Sequence, residues 1–148
     1  DRVQVQRAVL EAFEFDATDC PDLFPPLVAL AANCKGTTII RRLHRLRHKE
    51  SDRGITLQEE FAKMGIAITL QDDTMLVHSD GTIRVNNFTL NSHHDHRIAM
   101  AVAIATLNAD FPVSIRHADA VNKSYPDFWQ HLAALGIRVT LQNAGSPI

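Results

Sequence analysis

Apolar residues recur at Leu57, Phe61 and Met64, and again at Phe128, Leu132 and Leu135. Both triplets follow i, i+4, i+7, the spacing that lines one face of an amphipathic helix. Each stripe ends at a glycine, Gly65 or Gly136, the residue best suited to a left-handed helix cap. Alternating apolar positions follow in both places, as a half-buried strand requires. The second copy lies 71 residues after the first, and 64–71 matches 135–142 at five of eight positions. Such a repeat of stripe, cap and strand predicts two copies of one structural unit, at about 13–78 and 83–142.

The upstream parts correspond as well. An aspartate precedes an alanine-rich apolar helix in each copy, Asp22 before 27–33 and Asp95 before 98–107. Each helix leads into a β-like segment, 37–41 in one copy and 113–116 in the other, with 75–78 and 83–85 as extra strands between the copies. The alternation predicts an α/β fold in a single domain. The two alanine-rich helices lack a polar face and are expected to be buried on all sides, with the striped helices outside.

Composition narrows the function class. The 148 residues carry 15 Lys plus Arg against 17 Asp plus Glu, a net charge of −2. A nucleic-acid coat would need a basic excess, so no nucleic-acid partner is expected. No apolar run approaches the roughly 18 residues of a membrane span, and nothing at the N-terminus reads as a signal peptide. The two cysteines, Cys20 and Cys34, read as small buried thiols of a reducing compartment, the cytoplasm by default. The chain opens on Asp1 rather than Met, which predicts a processed chain or a portion of a longer one.

Four cations stand near expected helix starts: Lys49 and Arg53 in the densest charged run, Arg97 after Asp95, and Lys123 ahead of Ser124-Tyr125-Pro126. A cation at a helix N-terminus opposes the macrodipole, but it is well placed to receive an anion beside the free backbone N–H groups. If the two units face alike, these entrances converge on a pocket for a small molecule with several negative groups. Ser51 or Asp52 is a plausible N-cap there, with Thr56 and Glu59 as a later capping box. Asp22 precedes Pro25-Pro26, which delays the helix and leaves its carboxylate either as a cap or free to accept from a substrate hydroxyl. Glu50 stays ionised beside Lys49 and is suited to proton exchange or to a surface ion pair. The run His93-His94-Asp95-His96 and the pair His44/His48 lack the spacing of a recognised metal set, so no metal is expected. There is no glycine-rich phosphate loop.

Taken together, Cys20-Pro-Asp22, the run from Arg45 to Arg53 containing Lys49-Glu-Ser-Asp-Arg53, His94-Asp-His-Arg97-Ile-Ala-Met-Ala, and Asn122-Lys-Ser-Tyr-Pro126 resemble the EPSP (5-enolpyruvylshikimate-3-phosphate) synthase family. The resemblance runs in order from about Phe15 to Val139 and covers only the C-terminal part of such an enzyme. It implies repeated βαβαββ units forming one domain of the two-domain enolpyruvyl transferase fold, an inside-out α/β barrel. It also implies transfer of the enolpyruvyl group of phosphoenolpyruvate to the 5-hydroxyl of shikimate 3-phosphate, by a monomeric full-length enzyme without metal or organic cofactor.

By the same resemblance Asp22 holds shikimate hydroxyls and acts as base, and Lys49 lies on the shikimate 3-phosphate side. Glu50 handles the proton at the phosphoenolpyruvate methylene, while Arg53, Arg97 and Lys123 clamp that substrate's phosphate and carboxylate. Two positions depart from the pattern: Arg45 replaces a polar uncharged ligand of some members, and His94 replaces a common Asn. Two other readings stand beside this one, a non-catalytic repeat domain that binds an anion or a partner, and a relative of the UDP-N-acetylglucosamine enolpyruvyl transferases. With half a cleft, the 148-residue chain alone is expected to fold but not to turn over.

Overall fold

The computed structural model describes residues 1–87 and 89–142. Strand β1 (Glu14–Asp16) leads through a 3₁₀ turn (Pro21–Leu23) into helix α1 (Phe24–Ala32), then strand β2 (Lys35–Arg41). Helix α2 (Arg53–Ala62) and the hairpin β3 (Ala67–Gln71) and β4 (Thr74–Asp80) follow. Next come β5 (Thr89–Asn91), α3 (His96–Ala105), β6 (Ser114–Arg116) and α4 (Phe128–Ala134).

Two βαβ crossovers organise these elements. β1 and β2 are parallel neighbours joined through α1, and β5 and β6 are parallel neighbours joined through α3. β2 also pairs antiparallel with β4, which pairs with β3, giving the sheet order β1-β2-β4-β3. Register follows the side-chain alternation: Thr38 and Ile40 of β2 sit opposite Val77 and Met75 of β4, and all four point into the core. A one-residue slip would move that whole set to the outer face.

The stripe Leu57, Phe61 and Met64 is fully buried in this core. Gly65 follows at φ 75°, and a Cβ there would lie 3.1 Å from the Arg84 carbonyl oxygen, so conformation and space both call for glycine. α1 and α3 pack against each other through alanines, which allow a close backbone approach; the Asn33 amide spans them, donating to the Ala29 and Ala105 carbonyls. Asn33 also closes the end of α1, with its N–H on Leu30 and Ala31.

Several expected elements take a different form. α1 begins at Phe24 rather than near residue 27, because Pro25 and Pro26 occupy a first turn whose N–H groups have no intrahelical partner anyway. α3 begins at His96 and hands over to a 3₁₀ turn (Thr106–Asn108). Residues 83–85 form no strand. The Arg84 N–H goes to the Met64 carbonyl and the Asn86 N–H to Lys63, so this segment closes the end of α2 while Ile83 packs into the core.

Residues 137–142 also form no strand: among the described residues no neighbouring strand offers a ladder, whereas β3, the counterpart expected from sequence, has β4. Leu135, the last member of the second stripe, is 79% exposed, since α4 packs on α3 and the preceding turn with only Phe128 and Leu132 inside. The apolar helices are not covered on every side either, for Leu30 and Ile104 are exposed. Cys34 is buried but Cys20 only half-buried. No helix among the described residues is long and apolar enough to cross a membrane.

Candidate active site

The first turns of α2 and α3 and the 3₁₀ turn before α1 meet, and the three chain segments bring charge together. Asp22 sits in that turn and is not a helix cap; Leu23 occupies the cap position of α1 without a side-chain bond. The freed carboxylate receives Arg53 Nη1 at 3.0 Å, Arg97 Nη2 at 3.2 Å and Lys49 Nζ at 3.4 Å. Partial burial pushes this carboxyl up, but Arg97, Lys49 and Arg53 together outweigh it and hold Asp22 below the usual carboxylate range.

Arg53, the first residue of α2, is almost wholly buried and fixed from the other side. Its Nε and Nη2 donate to the two oxygens of Asp95 at 2.7 and 3.1 Å. Asp95 in turn caps α3 by accepting from the Arg97 N–H, and it also accepts from Ser51. Asp52 caps α2 through the Ile55 N–H, so no capping box at Thr56 and Glu59 is used. Burial drives the Asp95 carboxyl up, and the bonds from Arg53, the Arg97 N–H and Ser51 more than reverse it. Arg53 is therefore the anchored cation of the set, while Arg97, Lys49 and Lys123 keep about a third to a half of their side chains open.

Glu50 forms the second centre. Its Oε2 lies 3.2 Å from Lys123 Nζ and its Oε1 lies 3.1 Å from His96 Nδ1. Burial raises the Glu50 carboxyl, but Lys123 and His96 pull it below its ordinary value against a smaller upward push from Asp95. Lys123 reaches this centre although it stands at no helix entrance. It ends a 3₁₀ turn (Ala118–Lys123), α4 starts five residues later at Phe128, and Lys123 Nζ also donates to the His94 carbonyl at 2.7 Å.

The structure thus gathers Asp22, Lys49, Glu50, Arg53, Arg97 and Lys123. The cations stand on the carboxylates, so where a pocket was expected there is a cluster of ion pairs. A hollow of about 420 Å³ lined by residues such as Gly36, His78 and Arg84 shares no residue with it.

Sequence reading passed over Asp95, His96 and Ser51 as site members. The available signal was the aspartate ahead of an apolar helix, because a carboxylate destined for a dry site needs a fixed cationic partner. Arg45 is exposed, and His44 pairs with Asp73 across the hairpin end. The three histidines of the run diverge: His93 goes to Glu60, His94 stacks on His117 and His96 goes to Glu50. Glu50, Asp95 and His96 do bring ligand-type atoms within 4.8 Å of one another. Arg53 and Lys123 already occupy the two carboxylates, however, and a divalent cation would have to displace them.

Acid sensitivity follows from these carboxylates. Asp22, Glu50 and Asp95 are all held low in the fold, so their stabilising contribution is present above the unfolded-state values of about 4 and is lost as pH falls through the depressed folded values. The unfolding temperature of the full-length protein is expected to fall steeply below about pH 4, and less steeply after Asp95→Asn. A midpoint that holds or rises on acidification below that point contradicts the ion-pair geometry.

Comparison with known proteins gives the geometry a family. The family model of EPSP synthase (3-phosphoshikimate 1-carboxyvinyltransferase) matches residues 1–132. The chain is similar to the 3-phosphoshikimate 1-carboxyvinyltransferase of Clostridium novyi, at 39% identity over 92% of this chain and 31% of the relative. It is also similar to that of Halorubrum lacusprofundi, at 38% over 97% of this chain and 31% of the relative. The chain therefore spans about a third of the length of these curated relatives.

Among solved structures, an EPSP synthase from Acinetobacter baumannii superposes with a TM-score of 0.67 and 32% identity, over 75% of this chain and 26% of that one. The enolpyruvyl transferase NikO from Streptomyces tendae shares the fold at a TM-score of 0.68 and 22% identity, over 85% of this chain and 28% of that one. By sequence and by fold, the chain belongs to the EPSP synthase (3-phosphoshikimate 1-carboxyvinyltransferase) family.

Proposed function

We propose that the full-length protein transfers the enolpyruvyl group of phosphoenolpyruvate to the 5-hydroxyl of shikimate 3-phosphate and releases phosphate. The observation that carries this reading is the meeting of Lys49, Arg53 and Arg97 on Asp22, beside Glu50 held by Lys123 and His96. Substrates that are phosphorylated and carboxylated replace the internal carboxylates as partners of these cations. Arginine forks suit both groups, and lysine acts as a point charge.

Asp22, once its cations turn to the substrate, accepts from the shikimate hydroxyls and takes the proton of the attacking one. Lys49, 3.4 Å from that carboxylate, lies on the shikimate 3-phosphate side. Arg53, Arg97 and Lys123 fix the phosphoenolpyruvate anion. Glu50, once Lys123 turns to the substrate and no longer holds its carboxyl low, takes up a proton from solvent and delivers it to the methylene carbon, which leaves the adjacent carbon electron-poor and open to the hydroxyl oxygen. Loss of phosphate then requires that one methyl proton return to a base, and Glu50 is placed to receive it. Both carboxylates stabilise the cation-like carbon while the clamp holds the reacting atoms in line.

The test is turnover. The full-length protein is expected to release phosphate from phosphoenolpyruvate only when shikimate 3-phosphate is also present, and the isolated 148-residue chain is expected to release none. Absence of turnover by the full-length protein sinks the reading, and measurable turnover by the isolated chain contradicts the shared cleft.

A further inference from the structure

Arg53 and Glu60 stand seven residues apart on α2, two turns along one face. Both are buried polar groups, at 3% and 1% exposure. Arg53 binds the far end of the loop that enters α3, through Asp95. Glu60 binds its near end: Oε2 accepts the Asn91 N–H at 2.8 Å, and Oε1 lies 2.8 Å from His93 Nε2. Lys63 Nζ completes the shell of Glu60 at 2.7 Å. Burial raises this carboxyl, yet the bonds from Lys63, His93 and the Asn91 N–H hold it below its ordinary value, so it stays an acceptor.

The loop between these two anchors is held in an unusual form. His93 and His94 are consecutive non-glycine residues at φ 52° and 59°, a left-handed conformation that persists only where the surroundings impose it. The Asn91 side chain accepts the His93 N–H and Ser92 Oγ accepts the His94 N–H, while Ser92 Oγ donates to the His117 carbonyl. In that form the His94 carbonyl faces Lys123 Nζ at 2.7 Å, and Asp95 faces Arg53.

We propose that Glu60 is a positioning residue: by gripping Asn91 and His93 it sets the loop that aims Lys123 and Arg53, and so governs the anion affinity of a site that it does not touch. The inference rests on the reading of those cations as the phosphoenolpyruvate clamp. It differs from a plain stability role in what it moves. Loss of stability lowers the amount of folded protein and leaves KM unchanged, whereas a misaimed clamp raises KM in the protein that remains folded.

The experiment compares the unaltered full-length protein with Glu60→Gln, His93→Leu and His93→Gln, normalised to folded protein by circular dichroism. His93 is about a third exposed, so its variants keep the test alive if Glu60→Gln fails to fold. Glu60→Gln and His93→Leu are expected to raise KM for phosphoenolpyruvate about tenfold with kcat within about threefold, and His93→Gln, whose amide still donates to Glu60, to restore most of it. Unchanged KM in the two disruptive variants overturns the inference, as does a His93→Gln variant no better than His93→Leu.

Calorimetric binding of phosphoenolpyruvate alone separates this result from failure of the proposed reaction. If the unaltered protein binds it without turning over, a tenfold weaker Kd in Glu60→Gln still supports the positioning role, and equal Kd values overturn it. If the unaltered protein neither binds nor turns over phosphoenolpyruvate, the reading and the inference fall together.

Discussion

Glu50→Gln in the full-length protein is expected to lower kcat by about 10²–10⁴-fold with little change in KM, the span ascribed to a positioned proton-transfer group. The replacement keeps the shape, and glutamine still accepts a hydrogen bond from Lys123, but it cannot carry a proton to or from carbon. Glu50 is suited to that task because Lys123 holds one oxygen at 3.2 Å. The other faces the buried His96 Nδ1 at 3.1 Å, where the ring nitrogen is poorly aligned for a hydrogen bond. Steady-state kinetics checks the result. A kcat within about threefold of the unaltered protein would instead favour a domain that merely holds an anion.

Replacing Asp95 by Asn is expected to destabilise the fold by about 3–5 kcal/mol, the range for breaking one partner out of a buried pair. Asp95 is fully buried and receives Arg53 twice, Ser51 once and the Arg97 N–H. Asparagine leaves the Arg53 guanidinium buried with only Asp22 opposite it. The double replacement Arg53→Met with Asp95→Leu removes both charges, so it is expected to recover much of that stability. It is not expected to recover activity, since the anchored cation is gone. Urea unfolding of the full-length protein measures both effects, and a loss under about 1 kcal/mol for Asp95→Asn contradicts the buried geometry.

Local chemistry made part of this structure readable. Leu57, Phe61 and Met64 with Gly65 combine a helical period with a left-handed stop, and each acts within a few residues, so α2 and its cap follow from the chain itself. The cations of the cluster were visible for the same reason, as charges placed against the dipole of a nearby helix start. What failed depended on distant partners. Residues 83–85 and 137–142 alternate as strands do, but alternation says nothing of whether a ladder is available. In one case the N–H groups close α2, and in the other no neighbouring strand is described.

Lys123 reached its place by another route than the one expected. Pro126 suggested a first helical turn, yet the lysine arrives from the end of a 3₁₀ turn and is steered by the His94 carbonyl. Asp95 showed in sequence only as an aspartate ahead of an apolar helix, and the roles of His96 and Glu60 were illegible, because a carboxylate or imidazole looks alike in sequence whether it will be solvated or buried. Only the packing of α2 beneath the loop at 91–95 gives Glu60 its three donors and Asp95 its guanidinium. Reading such groups from sequence would require knowing which helices touch, and that is decided by the core as a whole.

The central claim is that these cations converge to receive one substrate pair. A crystal structure of the full-length protein with shikimate 3-phosphate and an unreactive phosphoenolpyruvate analogue tests it most directly. Lys49, Arg53, Arg97 and Lys123 are expected within hydrogen-bond reach of the ligands' phosphate and carboxylate oxygens, with Asp22 turned to a ring hydroxyl. Ligands bound elsewhere, with the ion pairs of Asp22 and Glu50 undisturbed, would contradict it.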